Sequence, residues 1–78
     1  MHYGPLNMEV GTYYRRPNLQ PHLTLYYQVI EKLKDRQVRI VNLQSNATYT
    51  LNEADLRFYS MEVMYESEMA MILLGELP

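Results

Sequence analysis

The chain has 78 residues, no cysteine and a formal net charge of −2, with 47% hydrophobic and 21% charged residues. That length fits one domain, residues 1–78, and the composition excludes both a disordered chain and a disulfide-stapled one. The longest apolar run, Met69 to Leu74, is far too short to cross a membrane, and no charged-then-apolar leader opens the sequence, so a cytoplasmic protein is expected. A chain of this size hides only about 60–65% of its unfolded surface, so its own core must be thin.

Glycine and proline fall at the two ends: Gly4, Pro5, Gly11, Pro17 and Pro21, then Gly75 and Pro78. Near the start, Met8, Val10, Thr12 and Tyr14 alternate with Glu9, Gly11, Tyr13 and Arg15, which predicts a first strand. A loop from Arg15 to Pro21 follows. Leu23, Leu25, Tyr27 and Val29 then share one face of a long second strand, with Leu33 beyond and Ile30 breaking the polar face. Lys34-Asp35-Arg36 reads as a turn and Gln37 to Leu43 as the return strand. Gln44-Ser45-Asn46 makes a second turn, in which asparagine can adopt the left-handed conformation. Ala47 to Leu51 is a short fourth strand. Thr24, Val29, Ile30, Val38, Ile40, Val41, Thr48 and Thr50 are branched at Cβ, which suits a pleated sheet.

After Leu51 the composition changes. Asn52 can cap free backbone N–H groups, Glu53 and Asp55 put negative charge in a first turn, and Leu, Met, Glu and Ala follow. These signals predict one long helix over about 53–74, with Gly75 as a left-handed C-terminal cap. At 1.5 Å per residue it would be about 33 Å long, as wide as the whole domain. Tyr59, Met61, Val63 and Tyr65 also alternate, however, and a strand there would delay the helix to near Ser67. The expected fold is α+β: a meander of about four antiparallel strands within 8–51, packed against one long C-terminal helix.

At 100° per residue, Leu56, Val63, Ala70 and Leu74 line one side of such a helix, flanked by Tyr59, Met64 and Met71. Phe58, Met61, Tyr65, Met69 and Ile72 line the other side. One small sheet needs a single apolar stripe, so the second is expected to meet another molecule or a second copy of the chain. Methionine is flexible and suits adaptable contacts. Met61, Met64, Tyr65, Met69 and Ile72 are the expected apolar contacts, with Glu62 and Glu66 orienting the partner.

Catalytic chemistry has little support. His2, His22, Ser45, Ser60 and Ser67 belong to no nucleophile motif, and no glycine-rich phosphate loop occurs. Asp55, Glu62 and Glu66 read as solvated helix surface. No enzyme, cofactor or metal is expected. The first half carries the basic excess (Arg15, Arg16, Lys32, Lys34, Arg36, Arg39) and the second half the acidic one. Tyr13, Arg15, Arg16, Tyr26, Lys34 and Arg36 join aromatic faces to cations, as single-strand binders do, although a pI near 5.6 is low for that role.

The short strands ending in Thr50-Leu51-Asn52-Glu53-Ala54-Asp55-Leu56 resemble a small SH3-like barrel of the Tudor type over roughly residues 8–60, without a diagnostic motif. That resemblance implies a curled sheet and carries the alternative of a single-stranded nucleic-acid-binding module. The cysteine-free, tyrosine- and methionine-rich make-up is also similar to that of small bacteriophage accessory proteins, which implies a viral protein in host cytoplasm. The leading expectation is a small adaptor or inhibitor that binds a larger protein through its C-terminal helix and self-associates.

Overall fold

Branched and aromatic residues between Thr24 and Leu51 build the longest strands of the computed structural model, which describes residues 2–3 and 9–75. These strands are β3 (Leu25–Lys32), β4 (Gln37–Asn42) and β5 (Thr48–Asn52), preceded by β1 (His2–Tyr3) and β2 (Tyr13–Arg16) and followed by β6 (Glu62–Met64). Short 3-10 helices at Pro21–Leu23 and Leu56–Ser60 link β2 to β3 and β5 to β6, and α1 (Glu66–Gly75) comes last. The order across the sheet is β1-β6-β2-β3-β4-β5, with each described pair of neighbours antiparallel. β1 and β5 are its edges, so the sheet is open. The α+β meander with a C-terminal helix is therefore the fold.

Turn chemistry fixes the register. Asp35 and Arg36 both have φ of 59°, and Gln37 N–H donates to the Lys34 carbonyl across the two-residue loop, the I′ geometry whose twist matches paired strands. Between β4 and β5, the Asn42 Oδ1 accepts from the backbone N–H groups of Gln44 (2.8 Å) and Ser45 (3.1 Å), while Asn46 sits at φ 63°. The left-handed asparagine read from the sequence is present.

The first strand is shorter than its alternation suggested. Thr12 N–H donates to Glu9 carbonyl, closing a turn with Gly11 at φ 98°. Gly11 N–H then reaches Val29 carbonyl and Val29 N–H reaches Thr12 carbonyl, so two residues face one in a glycine bulge. Pairing as β2 starts only at Tyr13. Met8 lies outside the described residues. Leu23 is in the 3-10 turn and exposed, and β3 slips register between Val29 and Glu31, which turns Ile30 out to solvent.

One face of the sheet holds the core. Tyr14, Tyr27, Val29, Val38, Ile40 and Leu51 point inward from β2 to β5, Met61 adds to them just before β6, and Leu25 and Val63 pack at the margin. Phe58 closes the cluster from the second 3-10 helix, its ring centroid 5.4 Å from that of Tyr14.

The expected helix over 53–74 is corrected to Glu66–Gly75, and a strand outside 8–51 takes part of its place. Asn52 Oδ1 accepts from Ala54 N–H and so shapes a turn, while Asp55 caps the 3-10 helix by accepting from Arg57 N–H. Met61 and Val63 then face the core with Tyr14, and Glu62 and Met64 face the other way, a period-two pattern that a helix cannot supply. Gly75 stays helical with no positive φ. Glu68 defines the start of α1: its Oε1 accepts from Tyr65 N–H at 3.3 Å, and Met69 N–H donates to Tyr65 carbonyl.

Candidate functional site

The short helix redistributes the residues expected to meet a partner. Met61, Met64 and Met69 are buried, as is Glu62, while Tyr65 and Glu66 are exposed and Ile72 is half-buried. Met61 belongs to the core cluster, so replacing it with aspartate would disrupt folding rather than leave a folded monomer. Met64 and Met69 are buried outside that cluster, which places them at the root of α1 rather than on its free surface.

Glu62 is held by Arg15 on the neighbouring strand. Arg15 Nε donates to Glu62 Oε2 at 2.9 Å, and an Nη2 contact to the same oxygen completes the pair. The carboxylate is therefore engaged within the sheet.

Solvent-facing apolar area lies instead farther along α1. Leu74 is 88% exposed, Met71 76% and Leu73 48%, and Tyr65 at the helix start is 59% exposed. Apolar residues occupy every position from Met69 to Leu74, so they surround the helix axis, and Met69 is the fully buried residue among them. A helix apolar on all sides ordinarily lies inside a structure. A continuous helix over 53–74 would instead place Met71 and Leu74 on the stripe facing the sheet. Ten residues on a single anchor cannot bury them.

Beside the start of α1, an open groove of about 710 Å³ runs between the Gly11 turn and the end of β6. Val10, Tyr13, Val63, Met64 and Tyr65 give it apolar walls, and Glu9 and Glu66 stand among its lining residues.

The structure brings some residues of the nucleic-acid alternative together and separates others. Tyr13 and Arg15 lie on the outer face of β2, and Tyr26 sits opposite Arg15 on the same face. Arg16 lies on the opposite side of the strand, while Lys34 and Arg36 stand at the distant β3–β4 turn. Charge compensation is extensive. Besides the Arg15–Glu62 pair, Arg39 meets Glu31 at 2.7 Å, Arg57 meets Asp55 at 2.9 Å, and Lys32 and Arg36 flank Glu53 at 3.8 and 3.7 Å. Among the described residues, Arg16 and Lys34 are the basic side chains outside these ion pairs. The charge asymmetry of the two halves is thus partly consumed inside the fold.

The Asp55 carboxyl lies well below the ordinary carboxylate range. Side-chain and backbone hydrogen bonds from Arg57 hold its pKa down at about 2. This is local capping chemistry at a 3-10 helix. Among the described residues no three His, Cys, Asp or Glu side chains converge as a metal site, and no helix is long and apolar enough to cross a membrane. Comparison with protein-family models, curated proteins and solved structures finds no match.

Proposed function

We propose that this chain is a non-catalytic interaction protein, an adaptor or inhibitor that docks α1 on a larger protein and also self-associates. The supporting observation is the exposure of Met71, Leu73 and Leu74 on a helix anchored through Met69. A helix of ten residues is marginal unless packing sustains it. A hydrophobic groove on a partner would cover these side chains and stabilise the helix together. Compared with the earlier expectation, the contact set moves outward, from the buried methionines to Tyr65, Met71, Leu73 and Leu74, with Ile72 and Glu66 at its margin. The return of β6 beside β2 favours a curled, SH3-like or Tudor-like form of the sheet. Cytoplasmic location and a phage origin belong to the same proposal on composition.

The test is a photo-crosslinking residue at Met71 in the native cell. A discrete adduct that disappears with Leu74→Asp in the same chain supports helix docking. Adducts unchanged by Leu74→Asp, or absent at Met71 while the folded protein is present, refute it.

A single-strand-binding role draws support from Tyr13, Arg15 and Tyr26 on one outer face. The ion pairing described above argues against strong phosphate attraction. Titration with single-stranded DNA at two salt concentrations separates the two roles, because phosphate contacts weaken steeply with salt.

A further inference from the structure

Among the described residues the sheet ends at β5, with no strand paired beyond it. Its partner β4 uses only half of the backbone groups of β5. Asn42 N–H donates to Ala47 carbonyl and Glu53 N–H donates to Arg36 carbonyl, and both bonds belong to one register in which Val38 faces Leu51 and Ile40 faces Tyr49. Hydrogen-bonded positions alternate along an antiparallel pair, so Ala47, Tyr49, Leu51 and Glu53 turn their backbone groups toward β4. Thr48 and Thr50 turn theirs away, and their side chains are exposed.

Sheet edges are usually guarded by charge, proline, a bulge or a covering loop. Thr48-Tyr49-Thr50 has no charge and no proline, and the register with β4 is unbroken through it. Nearby charges are engaged in ion pairs, with Glu53 between Lys32 and Arg36 and Glu31 against Arg39.

We infer that β5 is a self-pairing edge, at which two copies of this chain join antiparallel about a two-fold axis through Tyr49. The strand is self-complementary in that register. Thr48 of one copy faces Thr50 of the other, and each such pair exchanges an N–H and a carbonyl in both directions, giving four hydrogen bonds in all. Threonine side chains meet across the new ladder on the outer face. On the inner face Tyr49, 45% exposed and already edge-on to the Tyr27 ring at 6.4 Å, meets its own copy. A second copy satisfies donors and acceptors together on an uncharged strand, whereas a foreign strand would need a matching uncharged sequence. So short a ladder buries less than a standard interface and belongs to the weak class, with a Kd on the order of 100 μM. This proposal goes beyond α1 docking and does not depend on it.

Amide hydrogen exchange of the unmodified protein at about 10 μM and about 1 mM reads the ladder directly; for a Kd near 100 μM the free fraction falls about fourfold between them. Thr48 and Thr50 amides are expected to slow about fourfold at the higher concentration. Tyr49 and Leu51 amides, bonded to β4, stay protected at both. Thr50→Lys should remove the concentration dependence, and Leu74→Asp should preserve it. Exchange of Thr48 and Thr50 that is independent of concentration overturns the inference. Concentration dependence abolished by Leu74→Asp and kept by Thr50→Lys overturns it too, and assigns self-association to α1.

Discussion

Replacing Phe58 with alanine, beside the same change at Leu56, reads how residues 53–64 fold. Phe58 is fully buried and Leu56 is 81% exposed, although the two are only two residues apart in the same 3-10 helix. Removing the ring takes roughly 150 Å² of apolar surface out of the core, which at about 25 cal/mol per Å² is a loss near 4 kcal/mol. Large-to-small aromatic changes in cores fall in the same range of about 3–5 kcal/mol, and loss of the tilted contact with Tyr14 lies within it. A domain of this length has about 4–12 kcal/mol of total stability, so Phe58→Ala approaches unfolding. Phe58→Leu should cost about 1–2 kcal/mol and keep a measurable transition. Leu56→Ala should stay within about 0.5 kcal/mol. Urea denaturation followed by circular dichroism gives all three, each kcal/mol moving the midpoint by up to about 1 M at this size. A continuous helix over 53–74 puts Leu56 on the opposite stripe from Phe58. Equal costs at the two positions, or a larger cost at Leu56, would refute the 3-10 closure of the core.

Arg15→Met should destabilise by about 3 kcal/mol by leaving the Glu62 carboxylate buried, and Glu62→Gln in that background should recover part of it in the same urea assay. Arg36→Gly should stabilise by about 0.5–1 kcal/mol, because the left-handed φ of 59° strains arginine more than glycine and the Glu53 contact at 3.7 Å is exposed and weak; thermal unfolding measures it. The Asp55 carboxyl has its folded pKa lowered from 3.8 to about 2, so its contribution is present above 3.8 and disappears as pH falls through about 2. Solvent screening holds that contribution to under about 1 kcal/mol, and Asp55→Asn should remove the corresponding part of the stability-versus-pH curve between those values.

The sheet was largely legible in the sequence because its signals are local. Cβ-branching from Val29 to Thr50 announces strands, Lys34-Asp35-Arg36 announces a turn, and Asn46 adopts the backbone expected of it. Residues 53–64 misled because their propensity and their destination disagree. Glu, Ala, Leu and Met favour a helix locally, yet pairing with β2 places Met61 and Val63 against Tyr14 and hands Glu62 to Arg15. Long-range pairing of this kind leaves no local signal beyond the alternation of Tyr59, Met61, Val63 and Tyr65. Gly11 was visible as a breaker, but its bulge depends on hydrogen bonds to Val29 in another strand. The candidate surface shifted for the same reason. Excess apolar area was readable in the last third of the chain. Which half of it is buried, Met61 and Met69 rather than Met71 and Leu74, depends on where the helix begins.

The separation of folding from docking in α1 is tested most directly by the double variant Met71→Asp, Leu74→Asp, measured for unfolding free energy and for the crosslink of a neighbouring probe at Leu73. The expected result is a native circular dichroism spectrum, stability within about 1 kcal/mol of the parent chain, and loss of the adduct. A variant that unfolds, or one that keeps the adduct at full yield, would contradict a helix surface reserved for another molecule.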